Sequence, residues 1–367
     1  MNITFIVTRS DTIGGSHIHI RDLGLALQSD GHNVHIIIGG EGPIFNHLLN
    51  AGLNVIAVPF LKRNISPLND IRAYIDIKNT LKTLNPDIVS THSSKAGFIG
   101  RLAASRIGIP VLFTAHGWSF TSGKSAVVQF IFKHLEKVVT PLTNYIITVS
   151  DYDKELALCH LSVSKDKIQT IHNGRGDIDP IYFSNPCKDD NGWVNIVQIA
   201  RFDQQKNQAE LLQAVSKIKN IKLHLVGDGP LMNDIRILSE ELGIADKVIF
   251  YGRIDDVRNV LAKAHIFTLI SNWEGFPRST VEAMRAGLPV VVTNVGGAAE
   301  AVEQGVNGFV VEKNDVKGLR KSLIKLIGDS ELRADMGRKS RNIYEQKLTF
   351  DKMYSKTVSV YKKILSE

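Results

Sequence analysis

Two carboxylates stand eight positions apart in Ser271-Asn-Trp-Glu-Gly-Phe-Pro-Arg-Ser-Thr-Val-Glu-Ala-Met-Arg-Ala-Gly-Leu-Pro-Val290. Glu274 precedes Gly-Phe-Pro, and Glu282 precedes Ala-Met. The stretch follows an apolar run, Ile266–Ile270, that reads as a strand. Pro277 suits the first turn of a helix because its φ is already fixed there. Glu274 then lies ahead of the helix, at the strand's C-terminal end, and Glu282 lies within it. The backbone N–H groups near Arg278, Ser279 and Thr280 have no partner inside such a helix. With the positive end of the helix dipole they form an anion site. A phosphate between two carboxylates suits a nucleotide sugar, one acid binding sugar hydroxyls and the other ribose hydroxyls. Taken singly, Glu274 reads as a helix cap and Glu282 as a solvated charge. The Gly-Phe-Pro after the first and the Ala-Met-x-x-Gly-x-Pro after the second shift the weight to the site.

Three further loops carry chemistry. In Gln198-Ile-Ala-Arg-Phe-Asp-Gln-Gln-Lys-Asn207, Arg201 and Lys206 follow a strand, so they project from the C-terminal edge of a sheet. Arg can grip a diphosphate bidentately and Lys adds a mobile charge. In Thr8-Arg-Ser-Asp-Thr-Ile-Gly-Gly-Ser16, Gly14 and Gly15 allow close backbone approach to phosphate or sugar at a helix start. The pair is not G-x-G-x-x-G, and no acid follows the second strand to hold a dinucleotide ribose. In Thr114-Ala-His116-Gly-Trp118, His116 is either an ordinary core histidine or, at a strand terminus beside Gly117, a site residue.

Glu-Gly-Phe-Pro-Arg-Ser-Thr-Val-Glu-Ala-Met resembles the signature of glycosyltransferase family 4, matching at both acids, although Arg278 stands where the family usually has a smaller or neutral residue. The family comprises retaining, nucleotide-sugar-dependent enzymes of the GT-B fold: two Rossmann-like domains facing each other across a cleft. The resemblance covers nearly the whole chain. It is strongest from Gln198 to Glu312 and weakest over residues 40–75, where acceptor specificity usually lies. It implies that Glu274 orients sugar hydroxyls, Glu282 the ribose, Arg201 and Lys206 the diphosphate, and His116 the sugar. The Gly14-Gly15 loop would face the donor across the cleft. Phe276, Pro277, Ser279 and Thr280 would line the donor site, and Phe250-Tyr-Gly-Arg253 with Ile254 would wall the nucleobase. Val226-Gly-Asp-Gly-Pro230 and Asn294-Val-Gly-Gly297 with Glu300 are similar to other family segments. Thr91-His-Ser-Ser-Lys-Ala-Gly97 and the Ala-His-Gly-Trp-Ser-Phe block resemble bacterial capsule and O-antigen members. The implied reaction is transfer of a hexose or N-acetylhexosamine, UDP-linked, to a glycan or lipid-linked saccharide in surface polysaccharide biosynthesis. The leaving phosphate would take the acceptor's proton after front-face attack.

The elements that must position these residues are strands alternating with helical segments. Runs at Ile3–Val7, Val34–Ile38, Val55–Val58, Asp87–Ser90, Pro110–Thr114 and Tyr145–Val149 are separated by amphipathic stretches such as Leu23–Ser29, Ile71–Leu84 and Gly97–Ile107. The pattern restarts at Ile196–Ile199, Lys222–Val226, Lys247–Phe250, Ile266–Ile270 and Pro289–Thr293. Such alternation specifies an α/β fold with parallel sheets covered on both faces. The seam at Asp177–Trp193, with Pro180, Pro186, Asn191 and Gly192, reads as a linker. The expected organisation is an acceptor-side domain over 1–185 and a donor domain over 186–347. A last helix, Leu348–Leu365, is free to return to the first domain.

Composition sets the outer limits. At 367 residues the chain exceeds what one core usually serves. Its two cysteines, Cys159 and Cys187, are too few for a disulfide framework and fit a reducing cytoplasm. The start reads as a strand and polar turn rather than a signal peptide. No apolar stretch reaches the ~18 residues of a membrane span. The net charge of +7 points to an anionic partner, but its basic residues are interspersed with acids, which disfavours nucleic acid. His17 and His19, two apart on a helix, diverge. No Cys/His zinc spacing, Asp-x-Asp pair or Gly-x-Ser-x-Gly elbow occurs, so neither a metal nor a cofactor beyond the nucleotide-sugar substrate is expected. Residues 122–139 interleave Lys124, Lys133 and Lys137 with Val127, Phe130, Ile131, Phe132 and Leu135. The segment is either a core helix with solvated lysines or a surface helix leaning on anionic lipid at the inner face of the plasma membrane. Two rival readings remain: a nucleotide-sugar 2-epimerase on the same fold, which needs no acceptor, and a non-catalytic two-lobed sugar-binding protein.

Overall fold

The computed structural model describes residues 1–367 except 12, 13, 122, 189–191 and 367. Thr12 and Ile13 of the glycine loop, Ser122 of the lysine-rich segment and Asn191 of the seam therefore lie outside the described residues. Two compact units divide the chain: Met1–His172 with the residues from Met353 onward, and Asn173–Lys352. The seam read from composition belongs to the second unit from its first residue. There Asn173 Nδ2 donates to Phe276 O at 2.8 Å, and Ser184 Oγ donates to Ala264 O at 2.6 Å.

The first unit holds seven parallel strands: β1 Asn2–Val7, β2 Asn33–Ile38, β3 Asn54–Ala57, β4 Ile88–His92, β5 Val111–Ala115, β6 Tyr145–Thr148 and β7 Ile168–Thr170, in the order β3-β2-β1-β4-β5-β6-β7. Central strands are buried on both faces, which is why Ile3–Val7 and Ile88–His92 show no polar alternation. One face packs Ile6, Ile37 and Val89 against Ile77, Leu81 and Ala103. The helix Phe350–Ser366 sits on this unit over its described length from Met353. Tyr361 is fully buried, and Tyr354 Oη donates to Asp30 Oδ2 at 2.5 Å.

The second unit repeats the winding with β8 Val194–Ile199, β9 Ile221–Val226, β10 Val248–Gly252, β11 Ile266–Leu269, β12 Val290–Thr293 and β13 Gly308–Val311, all parallel, in the order β10-β9-β8-β11-β12-β13. Its core gathers Ile196, Leu211, Leu223 and Ile266 with Leu319 and Leu323. β7 and β13 lack a readable pattern in sequence. β7 is three residues long, and β13 opens on Gly308, where a Cβ would meet Val290 O at 1.9 Å. That close approach between β12 and β13 demands a residue which reads as a strand breaker.

Candidate functional site

In sheets of this winding, ligands bind beyond the strand C-termini where the order reverses. In the second unit that point lies between β8 and β11, and the strands deliver the two loops singled out above. The loop after β8 is stitched to the loop after β11 by Asn207 N to Ile270 O at 2.9 Å and Asn272 N to Gln205 O at 2.7 Å. Asn272 Nδ2 to Gln204 O at 2.8 Å adds a third stitch. Lys206 and Glu274 are brought together as an ion pair, Nζ donating to Oε1, with side chains 15% and 5% exposed. Gln205 Nε2 donates to Trp273 O at 2.9 Å and to Glu274 Oε2 at 3.3 Å, so both carboxylate oxygens are held. Arg201 stays half-exposed, its Nε 3.7 Å from Asp203 Oδ2. Gly296, at φ 53°, packs on the Glu274 backbone, where a Cβ would lie 1.9 Å from Glu274 O. Only glycine fits there.

The helix after Glu274 runs Arg278–Arg285, with Pro277 capping it in extended conformation. Ser279 is half-buried and Thr280 fully buried; among the described residues the Thr280 hydroxyl has no hydrogen-bond partner. Phe276 is buried, and its carbonyl accepts from Asn173. Glu282 is paired with Arg175, Nη2 to Oε1 at 2.8 Å. Arg285, its guanidinium pKa lowered by burial, donates to Gly176 O at 2.6 Å. Arg253 is exposed beside Asp255 at 3.3 Å, and Ile254 is half-buried.

In the first unit the corresponding point lies between β1 and β4. Gly14, extended at φ −131°, caps the helix Gly15–Ser29, and its N–H donates to His17 Nδ1 at 3.2 Å. β4 continues through His92, two residues past the strand read from sequence. His92 Nδ1 meets His116 Nε2 at 3.0 Å, while His92 Nε2 meets Ser90 Oγ at 3.1 Å. His116 is placed by Gly117, at φ 114°, and by Trp118, whose indole Nε1 donates to Asp153 O at 2.7 Å. His19 closes the group: the three imidazoles present nitrogens within 4.8 Å of one another, a set able to hold a divalent ion. Total burial, reinforced by His116 and His17, holds the His92 pKa well below the ordinary histidine range. His17 is pushed down to about 4, chiefly by burial. His19, whose spacing from His17 reads as divergence on a helix, finds its neighbours in His92 at the end of β4 and His116 just after β5.

Sequence reasoning missed Gln205, Arg175, His19 and His92. Gln205 adjoins Lys206, and adjacency alone names no role. Arg175 sits in Asn173-Gly-Arg175-Gly, a segment whose glycines signal a turn but not a partner for Glu282. His92 stands in the quoted Thr91-His-Ser-Ser run, and only the strand order puts it beside His116.

Residues 188–343 match the family of glycosyl transferases group 1, and residues 13–175 match glycosyltransferase family 4. The chain is 32% identical over 333 residues to the UDP-Gal:alpha-D-GlcNAc-diphosphoundecaprenol alpha-1,3-galactosyltransferase of Escherichia coli, covering 86% of this chain and 85% of that protein. It is 27% identical over 359 residues to the capsular polysaccharide biosynthesis glycosyltransferase CapM of Staphylococcus aureus, covering 93% and 92%. Among solved structures, Anabaena HepE in complex with UDP and glucose superposes with a TM-score of 0.82 at 18% identity, covering 99% of both chains. A glycosyltransferase from Rickettsia africae gives 0.82 at 22% identity, covering 99% of this chain and 98% of that one.

Proposed function

The chain belongs to glycosyltransferase family 4, has the GT-B fold and is a glycosyltransferase of polysaccharide or glycolipid biosynthesis, and from that premise we propose that it transfers a hexose or N-acetylhexosamine from a UDP-sugar, with retention, to a lipid-linked saccharide. The observation that carries this reading is the Lys206–Glu274 pair at the switch point of the second sheet, with Arg201 half-exposed in the same loop as Lys206. A fixed carboxylate supplies acceptors for sugar hydroxyls. Arg201 and Lys206 supply the charge-assisted donors that a leaving diphosphate needs as negative charge builds on it. The Thr280 hydroxyl, in the first turn of the following helix and without a partner among the described residues, is a group that a donor phosphate or ribose would satisfy. Glu282 and its partner Arg175 extend the polar lining. Gly14, Gly15 and His116 lie at the switch-point edge of the first unit, where the His116 imidazole suits contact with a sugar hydroxyl. The leaving phosphate takes the acceptor proton, and no metal is required, because Arg201 and Lys206 neutralise the diphosphate.

The donor and acceptor classes are those of similar proteins: the E. coli relative acts from UDP-Gal on a diphosphoundecaprenol-linked GlcNAc, and HepE binds UDP and glucose. Among the described residues no helix is long and apolar enough to cross a membrane, so work on a lipid-linked acceptor calls for peripheral attachment. The test is a screen of UDP-sugars for acceptor-dependent UDP release, with a prenyl-diphosphate saccharide present or absent and with or without a chelator. One donor should release UDP only with acceptor, regardless of chelator. Conversion of the donor without acceptor would instead indicate an epimerase, and loss of transfer on chelation would make the three-histidine cluster a working metal site.

A further inference from the structure

A groove of about 730 Å³ opens on the first unit, and none of its lining residues is assigned a role above. Its floor is the helix Ser94–Ser105, which begins two residues after His92 ends β4. Its walls are the helices Pro67–Leu84 and Ala126–Val139. The lining is mostly apolar, with Ile71, Tyr74, Phe98, Leu102, Phe132 and Leu135. The wall helices leave Leu68, Ile71, Ile75, Val127 and Phe130 exposed. Open apolar surface on this scale marks a ligand or lipid contact rather than ordinary surface.

The charged groups leave a net positive balance. Each carboxylate of the groove has its own cation: Asp70 pairs with Lys95 at 2.6 Å, and buried Glu136 pairs with Arg101 at 2.5 Å. The positive charges of Arg63 and Arg106, which also line it, are therefore not cancelled there. Lys124 stands 4.0 Å from the centre of the Phe132 ring, and its pKa is lowered by burial and then by Arg63. Cations thus crowd one apolar channel that starts at Ser94, beside the sheet edge bearing His92 and His116.

Resting on the transferase reading above, we propose that this groove takes the prenyl chain of the lipid-linked acceptor, with Arg63 and Lys124 meeting its diphosphate. The chain would lie along the helix Ser94–Ser105 and the saccharide would emerge at the sheet edge. The outward face of the helix Ala126–Val139, with Val127 and Phe130, is distinct from the inward Phe132 and Leu135, so bilayer contact and chain binding need not compete.

Calorimetry on the full chain with farnesyl diphosphate, inorganic diphosphate and farnesol as probes tests this. Farnesyl diphosphate should bind at least about tenfold more tightly than either fragment, since buried methylenes and charge-assisted contacts both contribute. Ile71→Asp, at an exposed position that folding tolerates, should erase the advantage over diphosphate. Arg63→Ala with Lys124→Ala should erase the advantage over farnesol, and UDP affinity should be unchanged in all variants. Equal binding of farnesyl diphosphate and inorganic diphosphate would overturn the proposal, as would indifference to Ile71→Asp. Displacement of the probe by neutral phosphatidylcholine vesicles lacking any prenyl diphosphate would assign the groove to the bilayer and also overturn it. Failure of UDP binding in the unaltered chain would count against the transferase reading alone.

Discussion

The two sheets are wound alike, each with its switch point beside its first strand, β1/β4 in one unit and β8/β11 in the other. What the strands deliver there differs in charge. β4 ends in His92 and His116 follows directly after β5, both neighbours of His19, and burial keeps His92 neutral. The loops after β8 and β11 deliver an ion pair, with a further guanidinium left accessible. Parallel winding fixes where a site can lie, whereas the short loop sequences decide its chemistry. An imidazole edge with His92 held neutral suits hydroxyl contacts with a sugar; a cation-rich edge suits a diphosphate.

The contrast breaks most severely if Glu274 can be neutralised without effect. Glu274→Gln should lower transfer by about a hundredfold or more while leaving UDP affinity within a few-fold, because it alters sugar orientation rather than diphosphate contacts. Activity close to wild type would remove the second edge from the chemistry. Lys206→Ala also strands a carboxylate that is 5% exposed, so it should lower stability by about 3 kcal/mol as well as slow transfer. Combining Lys206→Met with Glu274→Gln should recover stability in urea unfolding but not activity, which separates the two effects.

The neutral first edge makes a pH prediction. Burial pushes His17 from the ordinary 6.5 to about 4, with Arg9 adding to the shift, and His92 moves in the same direction. A folded pKa below the unfolded one means that the unfolded chain binds the proton first. Stability is then full above about pH 6.5 and is lost as pH falls towards about 4, by roughly 3 kcal/mol for His17 alone. Urea midpoints measured between those limits should fall with acidification, and His17→Asn should flatten the slope. A midpoint that ignores pH in the unaltered chain would contradict the neutral-imidazole description.

The smallest effect concerns the outer face of the helix Ala126–Val139, where Val127, Phe130 and Val138 are 69%, 63% and 63% exposed. The helix buries Glu136 and Val139 and leaves this other face open, which is the surface that contact with anionic lipid would use. Anionic vesicles should sediment the protein at low salt, with about 1 kcal/mol from each of Lys124, Lys133 and Lys137. Charge reversal of the three, or added salt, should release it. Equal sedimentation with neutral vesicles would show that these lysines play no part.

Sequence alone makes the second edge legible because its residues lie in two short stretches, each just after an apolar strand. Arg201, Lys206 and Glu274 need only the rule that strand C-termini carry ligands. The pairing of Glu282 with Arg175 is hidden because the partners stand 107 positions apart in the chain and meet only in the folded unit. The histidine cluster is hidden for the same reason, being assembled from a helix and two strand ends. The seam illustrates a different limit: prolines and polar residues at 177–193 read as a linker, yet Asp177 is clamped by Arg341 at 2.6 Å and Ser184 by a backbone bond to Ala286. Turn-forming composition describes the local backbone and says nothing about what it packs against.

The central claim is that the edge bearing Arg201 and Lys206 receives the donor diphosphate. Calorimetric titration of UDP into the full chain and into an Arg201→Ala/Lys206→Ala double variant addresses it directly. Loss of two charge-assisted contacts, at about 1.5–3 kcal/mol each, predicts that affinity falls by about a hundredfold or more while the fold is retained. Unchanged UDP affinity in a folded double variant would contradict the assignment and move the donor site elsewhere in the molecule.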